Sequence, residues 1–146
     1  MWQQLKASPT AKSMLGAFGT KLEGKRMRPV IFHGDFVPWN VRALLSGEWM
    51  VLDWERGDPR GLPGWDWFHF VIQPAILVRK AEIKELIRLV ETLLASDAFR
   101  AYAQKASIQG FERALLLAYL LHLVEVIRPS EGLEQNRELF NRLNAR

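Results

Sequence analysis

The sequence predicts an α+β fold, in which a small β-hairpin or sheet with a polar loop packs on a mainly helical bundle. Short apolar runs separated by turn residues occupy positions 30–53, and apolar side chains at helical spacing occupy most of positions 81–127. The 146 residues are 49% hydrophobic and 25% charged, a balance typical of a folded chain. We therefore expect a single domain over residues 1–146, with the sheet first and the bundle after it.

The segment before the sheet predicts helix. Pro9 breaks residues 2–22, and the apolar side chains that follow it recur at helical spacing. These side chains belong to Met14, Leu15, Phe18 and Leu22. Gly24 and Pro29 then end the helix, because neither residue continues a helix well.

Three short strands are predicted next, at residues 30–33, 41–45 and 49–53. Ser46-Gly47 lies between the second and the third strand and is typical of a hairpin turn. The segment that follows, residues 56–64, contains three Gly and two Pro, so we predict that it is a loop.

From residue 65 onward the apolar spacing predicts only helices. Their expected ranges are 65–78, 81–94, 97–106 and 111–127, followed by a last helix that Ser130 caps. Pro74 is expected to kink or end the first of them. Residues 111–127 are apolar almost all round, which predicts the central core helix.

Five tryptophans cluster within about thirty residues around the predicted hairpin, at positions 39, 49, 54, 65 and 67. Aromatic side chains at this density beside strands favour burial in the core. The alternative for Trp39 or Trp65 is that the side chain forms a wall beside a bound acceptor molecule instead of packing in the core.

The charge and the composition limit the partners. The net charge is +4, and a basic arm over residues 1–30 precedes an acidic centre over residues 31–70. This pattern suits either a solvated basic surface or a nucleotide bridged by a metal ion, and no recognised reader motif supports nucleic-acid binding. The absence of cysteine excludes disulfides and thiolate metal sites. The longest apolar run, residues 114–124, is too short for a bilayer span, so we expect no membrane insertion and a cytoplasmic location.

Three polar residues around the predicted hairpin suggest a site. Asp35 follows the first apolar run, Asn40 comes five residues later, and Asp53 follows the third strand. Phosphoryl transfer to a hydroxyl needs a carboxylate that orients the hydroxyl and oxygen ligands for Mg²⁺. Asp35 suits the first task, and Asn40 and Asp53 suit the second.

The two motifs that carry these residues resemble the catalytic core of the aminoglycoside phosphotransferase and choline kinase-like family, within the protein-kinase-like fold. The motifs are HGDFVPWN at residues 33–40 and VLDWE at residues 51–55, and the resemblance covers about residues 28–75. It implies transfer of the ATP γ-phosphoryl group to a hydroxyl of a small molecule. It also implies that Asp35 is the catalytic base and that Asn40 and Asp53 bind the Mg²⁺ of the nucleotide.

The resemblance implies two supporting residues as well. Asp66, in GLPGWD at residues 61–66, is expected to brace the backbone of the catalytic loop, and His33 is expected to be a buried, hydrogen-bonded support of that loop. Glu55 has two alternative roles, as ligand of a second metal or as a structural partner of Arg56 or Arg42. His69 and His122 are expected to be core or rim histidines, because they lie on apolar helix faces.

The family places a nucleotide-binding lobe before this region, whereas only about thirty residues precede His33 here. We therefore expect that lobe to be absent from the chain, which is then a fragment, a truncated product, or completed by a partner. The alternative function is a non-catalytic kinase-like remnant that serves as a binding or scaffold domain. The surface that would face the missing lobe is expected to be apolar, which favours self-association or a partner there. Antibiotic phosphorylation is not favoured over phosphorylation of a sugar or another alcohol.

Overall fold

The computed structural model describes residues 2–145 and shows a mixed α+β architecture. The helices are α1 Trp2–Ala7, α2 Pro9–Leu22, α3 Trp65–Leu77, α4 Ile83–Ala95, α5 Asp97–Lys105, α6 Glu112–His122 and α7 Leu133–Asn144. The strands are β1 Val30–Phe32, β2 Val41–Ala43, β3 Trp49–Val51 and β4 Asp58–Gly61. Among the described helices, none combines the length and the apolar character that crossing a bilayer requires.

The N-terminal helices follow the predicted pattern. Ser8 separates α1 from α2, and its hydroxyl oxygen accepts a hydrogen bond from the backbone N–H of Ala11 at 3.3 Å, which caps α2. Leu15, Phe18 and Leu22 are buried against the other helices, so the predicted apolar stripe is confirmed.

The predicted hairpin is confirmed. Strands β2 and β3 pair antiparallel, with Val41 opposite Val51 and Ala43 opposite Trp49. The backbone N–H of Leu44 donates to the carbonyl oxygen of Glu48 at 2.8 Å, which closes the turn around Ser46-Gly47.

The prediction of a loop over residues 56–64 is wrong for Asp58–Gly61, which forms β4 and pairs antiparallel with β1. The close approach of the two strands depends on Gly61, because a Cβ atom there would overlap the side chain of Phe32. Pro59 lacks an N–H group and is tolerated because β4 has no second neighbouring strand. Pro59 and Gly61, which are typical of loops, here belong to an edge strand.

Helix α6 is the centre of the hydrophobic core. Every residue from 114 to 121 is buried, and α2, α3 and α7 pack against this helix. The prediction of a central core helix is thereby confirmed. The helix continues beyond His122 as a π-helical turn, Leu123–Ile127, which widens its last turn.

The predicted cap of the last helix is wrong. Helix α7 begins at Leu133 rather than after Ser130, and the residue before it is Gly132 with φ 75°. A Cβ atom at Gly132 would lie 2.8 Å from Cγ2 of Ile76, so close packing on α3 sets the start of α7.

The burial predicted for the tryptophans is wrong for three of the five. Trp49 is 74% exposed, Trp54 is 49% exposed and Trp39 is 43% exposed, whereas Trp65 is buried at 1%. The sheet of β2 and β3 has only two strands, so it has no interior position and leaves its apolar side chains in solvent.

His122 makes stability depend on pH. Burial lowers the pKa of its imidazole to about 4, and its Nε2 donates to Gln4 Oε1 at 3.2 Å. Because the unfolded chain binds the proton at about pH 6.5, the contribution of His122 is complete above that pH and is lost as the pH falls towards 4. The loss amounts to about 3 kcal/mol.

We therefore expect His122→Gln to flatten the pH dependence of the free energy of unfolding between pH 7 and pH 4. Urea titrations of the wild type and the variant, followed by circular dichroism at several pH values, measure this difference. Equal pH dependence in the two proteins would show that His122 is not the group responsible.

Candidate active site

Asp66 holds the start of the loop that carries Asp35. It is the second residue of α3, which begins after Gly64. Its Oδ2 accepts a hydrogen bond from the backbone N–H of His33 at 2.8 Å, and its Oδ1 accepts one from the N–H of Gly34 at 3.2 Å. Burial raises the pKa of the Asp66 carboxyl, while the two N–H donors act against that rise because they favour the carboxylate. These bonds are the contacts that the predicted brace requires.

Gly34 allows the chain to turn between β1 and Asp35. Its φ is +84°, a left-handed conformation that side chains with a Cβ atom rarely adopt. A Cβ atom at this position would also lie 2.7 Å from the backbone oxygen of Arg56. The position next to Asp35 therefore requires glycine for both reasons.

His33 ties this loop to the end of β3. The side chain is 2% exposed, and its Nε2 donates to the backbone oxygen of Leu52 at 2.8 Å. Its Nδ1 accepts a hydrogen bond from the backbone N–H of Asp35 at 3.2 Å. The ring also packs on Trp54, with 4.6 Å between the ring centroids. Both ring nitrogens are thus used to hold backbone, as a structural support of the loop would do.

The carboxylate of Asp35 lies beside His69, with 3.0 Å between Oδ1 and Nε2. The Asp35 side chain is one-third exposed. The hydrogen bond from His69 lowers the pKa of the Asp35 carboxyl, against the opposite effect of burial. The group is therefore ionised at neutral pH and can accept a hydrogen bond from a hydroxyl.

Asn40 connects Asp35 with the end of β3. It ends a 3₁₀ turn, Pro38–Asn40, and its Nδ2 donates to the backbone oxygen of Asp35 at 2.9 Å. Its own backbone oxygen accepts a hydrogen bond from the N–H of Leu52 at 2.8 Å. Because the amide nitrogen is engaged, Oδ1 is the atom that Asn40 offers to a cation.

Asp53 follows Leu52 directly, and its backbone is in the left-handed region with φ 64°. Asp53 is exposed, although three apolar residues precede it in the sequence. Met50 and Leu52 are themselves 46% and 38% exposed, so this apolar run does not mark a buried strand. The conformation of Asp53 is one that Asp tolerates better than most side chains, and such strain is frequent at binding sites.

Asn40 and Asp53 supply oxygen donors of the kind that Mg²⁺ prefers. Within residues 2–145, no three or more His, Asp or Glu side chains are grouped to hold a metal by themselves. Asn40 Oδ1 and the Asp53 carboxylate are hard oxygen donors, and Mg²⁺ in such sites takes its other ligands from phosphate and water. The chain therefore offers part of a shell.

Glu55 is exposed, and the structural pairing suggested for it does not form. Among the ion pairs of the described residues within 4.0 Å, none joins Glu55 to Arg56 or Arg42. Arg42 instead donates to the backbone oxygen of Trp39 at 2.7 Å.

A cavity of about 770 Å³ opens beside Asp35. Its size is in the range of small-molecule sites. Its wall combines aromatic, amide and charged side chains, including Asp35, Trp39, Arg56, Trp65, His69 and Tyr119. On the far side it reaches α1 and the π-helical turn through Gln4 and Ile127. Asp53 and Asn40 are not among the residues that line it.

Sequence reasoning missed His69, which it placed as a core or rim histidine. One signal was present: His69 comes three residues after Asp66 on α3, and residues at this spacing share a helix face. Since Asp66 was predicted to brace the loop, His69 could have been expected to reach it. Tyr119, which contacts His69 with 3.0 Å between the hydroxyl and Nδ1, had no such signal.

Comparison with known proteins adds no family: no protein-family model, no curated protein and no solved structure matches this chain.

Proposed function

We propose that this chain is the catalytic lobe of a Mg²⁺-dependent phosphotransferase, with the C-terminal-lobe architecture of the aminoglycoside phosphotransferase and choline kinase-like family. The reaction moves the γ-phosphoryl group of ATP to a hydroxyl of a small molecule. The observation that carries the proposal is the pair of hydrogen bonds that ties Asn40 to Asp35 and to the residue before Asp53, with Asp35 itself at the wall of a cavity. Because the reaction uses ATP, we place the protein in the cytoplasm as part of this proposal.

Each residue then has a role that its contacts allow. Asp35 presents an ionised carboxylate to the cavity, orients the hydroxyl of the acceptor and takes its proton. Asn40 Oδ1 and the Asp53 carboxylate would hold Mg²⁺, which would offset the negative charge of the nucleotide phosphates. Asp66 and His33 hold the backbone of the loop so that Asp35 keeps its position. Positioning of this kind supplies much of the catalysis of phosphoryl transfer.

The acceptor lies in the cavity beside Asp35. The wall offers the exposed aromatic side chain of Trp39 and charges of both signs from Arg56 and Asp58. Such a wall suits a compact polar molecule with a hydroxyl, for example a sugar or another alcohol.

Isothermal titration calorimetry with Mg²⁺–ATP tests whether this chain binds the nucleotide. Binding is expected in the concentration range up to about 1 mM, where most enzymes bind their substrates. No heat of binding at that concentration would refute the proposal that the chain by itself holds the nucleotide. A screen of sugars and other alcohols for ADP release then identifies the acceptor.

Asp53→Asn is expected to weaken Mg²⁺–ATP binding by at least ~10-fold, the loss that is typical even for residues that only support a metal ligand. Asn tolerates the left-handed backbone of position 53 as Asp does, so the substitution removes the charge without new strain. Asp97→Asn, on the first turn of α5, is the matched control and should bind as the wild type does. Equal affinity in Asp53→Asn and the control would argue against Asp53 as a ligand.

A non-catalytic binding or scaffold domain is the second candidate, and one observation favours it. The hairpin and the residues that follow it expose a group of large apolar side chains, which is unusual on the surface of a monomeric protein. These side chains belong to Leu44, Leu45, Trp49, Met50, Leu52 and Trp54. In this case the hairpin binds a partner or a second copy of the chain. Sedimentation velocity of the wild type and of Trp49→Ser tests this: association that the variant weakens, together with no nucleotide binding, favours the second candidate.

A further inference from the structure

A line of hydrogen bonds connects Asp35 with the start of α7 through the interior. Asp35 Oδ1 contacts Nε2 of His69 at 3.0 Å, and Nδ1 of His69 contacts the Tyr119 hydroxyl at 3.0 Å. The nitrogen Nε2 of Gln73 lies 3.3 Å from the Tyr119 hydroxyl and 3.3 Å from Oδ1 of Asn136. These contacts join α3, α6 and α7 to the loop that carries Asp35.

The contacts of Asn136, at the end of this line of hydrogen bonds, show which atom donates in each bond. Asn136 Nδ2 donates to the backbone oxygen of Gly132 at 2.8 Å, so Oδ1 is the atom that faces Gln73. An amide nitrogen has two hydrogens and cannot accept, so Gln73 Nε2 donates to both Asn136 and Tyr119. The Tyr119 oxygen therefore accepts from Gln73. Because the side chain is buried, its hydroxyl hydrogen needs an acceptor inside the protein, and Nδ1 of His69 is the one in contact with it.

Tyr119 keeps that hydrogen. Its side chain is 2% exposed, and burial raises the pKa of its hydroxyl far above the ordinary value for tyrosine. Because Nδ1 of His69 accepts the bond, the neutral imidazole carries its hydrogen on Nε2. This hydrogen is the one that is directed at Oδ1 of Asp35.

We propose that His69 is a positioning residue for the Asp35 carboxylate, and that Tyr119, backed by Gln73 and Asn136, keeps the His69 hydrogen on the nitrogen that faces Asp35. The bond to Oδ1 fixes the orientation of the carboxylate and leaves Oδ2 for the acceptor hydroxyl. The catalytic part of this inference depends on the proposed phosphotransferase function, whereas the hydrogen-bond pattern does not.

The other charged groups around the pair do not replace this contact. Arg56 acts on Asp35 through its charge, and Asp66 lies within electrostatic reach of His69. Among the described side chains, His69 is the one that makes a side-chain hydrogen bond to the Asp35 carboxylate. The hydrogen on Nε2 of His69 is therefore the feature that the experiments below examine.

Nuclear magnetic resonance of ¹⁵N-histidine-labelled protein tests the pattern without any enzyme assay. Long-range ¹H–¹⁵N spectra at neutral pH distinguish the two tautomers of each histidine, and the expected result is hydrogen on Nε2 of His69. Hydrogen on Nδ1 in the wild-type chain would overturn the proposal before any variant is made.

Tyr119→Phe removes the donor to Nδ1 and keeps the aromatic ring. The expected result is a shift of the His69 Nδ1 resonance towards that of an imidazole nitrogen without a hydrogen-bond donor. Tyr102→Phe is the matched control, because Tyr102 accepts a hydrogen bond from the N–H of Gly64 and should leave the His69 signals unchanged. An unmoved Nδ1 resonance in a folded Tyr119→Phe variant would contradict the proposed role of Tyr119.

Two amide substitutions at His69 separate positioning from packing. The amide nitrogen of His69→Gln reaches the position of Nε2 and can still donate to Asp35, whereas that of His69→Asn stops near Nδ1. The rate of phosphoryl transfer should fall by about 100-fold in His69→Asn, the cost of a misplaced reacting group, and much less in His69→Gln, with little change in KM in either. Equal losses in the two variants would overturn the positioning role. Transfer that is absent in the wild type, together with the expected tautomer, would refute the proposed function and leave the hydrogen-bond pattern intact.

Discussion

Replacing Asp35 with Asn is expected to slow phosphoryl transfer by about 10²–10⁴-fold, which is the usual contribution of a positioned general base. Asn has the same size and its Oδ1 can still accept the hydrogen bond from His69, so the loop should keep its shape. The variant loses only the capacity to take the proton of the acceptor. The affinity for Mg²⁺–ATP should therefore stay within about twofold of the wild-type value, since Asp35 is not a metal ligand in this scheme.

Single-turnover transfer from γ-labelled ATP to the acceptor that the ADP-release screen identifies gives the rate. Calorimetry on the same preparations gives the affinity for the nucleotide. Asp97→Asn again serves as the control, because it removes an exposed carboxylate that pairs with Arg100 of its own helix. Wild-type turnover in Asp35→Asn would remove Asp35 from the role of the base.

The second large effect is expected for Asp66→Ala, which should lower the free energy of unfolding by about 3 kcal/mol. Two backbone N–H groups, those of His33 and Gly34, lose a charged acceptor in this variant, and each such bond contributes about 1.5–3 kcal/mol. The N–H of His33 is enclosed with little access for water to replace the carboxylate. Urea unfolding monitored by circular dichroism measures the change.

Asp97→Ala is a close control for this substitution. Asp97 also lies in the first turn of its helix, where a carboxylate interacts favourably with the helix dipole, but it is exposed and braces no loop. Its removal should cost no more than about 1 kcal/mol. A loss in Asp66→Ala as small as in this control would show that the two hydrogen bonds to the loop contribute little. Amide hydrogen exchange at Gly34 adds a local readout, since exchange should accelerate when the brace is removed.

The contacts in the candidate site follow from short spacings in the sequence. His33, Asp35 and Asn40 lie within eight residues, so one turn of loop and one 3₁₀ turn are enough to bring their atoms together. The hairpin signal at Ser46-Gly47 then returns the chain to Asn40, where Leu52 binds both Asn40 and His33. Local geometry of this kind can be read from residue types and their separation.

The predictions of burial and of a loop at strand β4 were wrong because these features depend on which other part of the chain packs against a segment. Tryptophans beside a strand are buried only if another layer covers the strand, and the two-stranded hairpin has none. The same reason explains why Asp53 is exposed although apolar residues precede it. Strand β4 was missed because its glycine is required by the approach of Phe32, which no pattern within residues 56–64 reveals.

The sequence by itself determined the α+β class, the helical bundle, the hairpin and the closeness of Asp35 and Asn40, because these depend on periodicity and on neighbours within about twenty residues. Only the tertiary structure decided what surrounds Asp35. His69 lies 34 residues away and Tyr119 a further 50 residues away, on helices that pack together through the core. Packing of α3 on α6 sets which of their polar side chains meet, and burial then makes each of those hydrogen bonds directional.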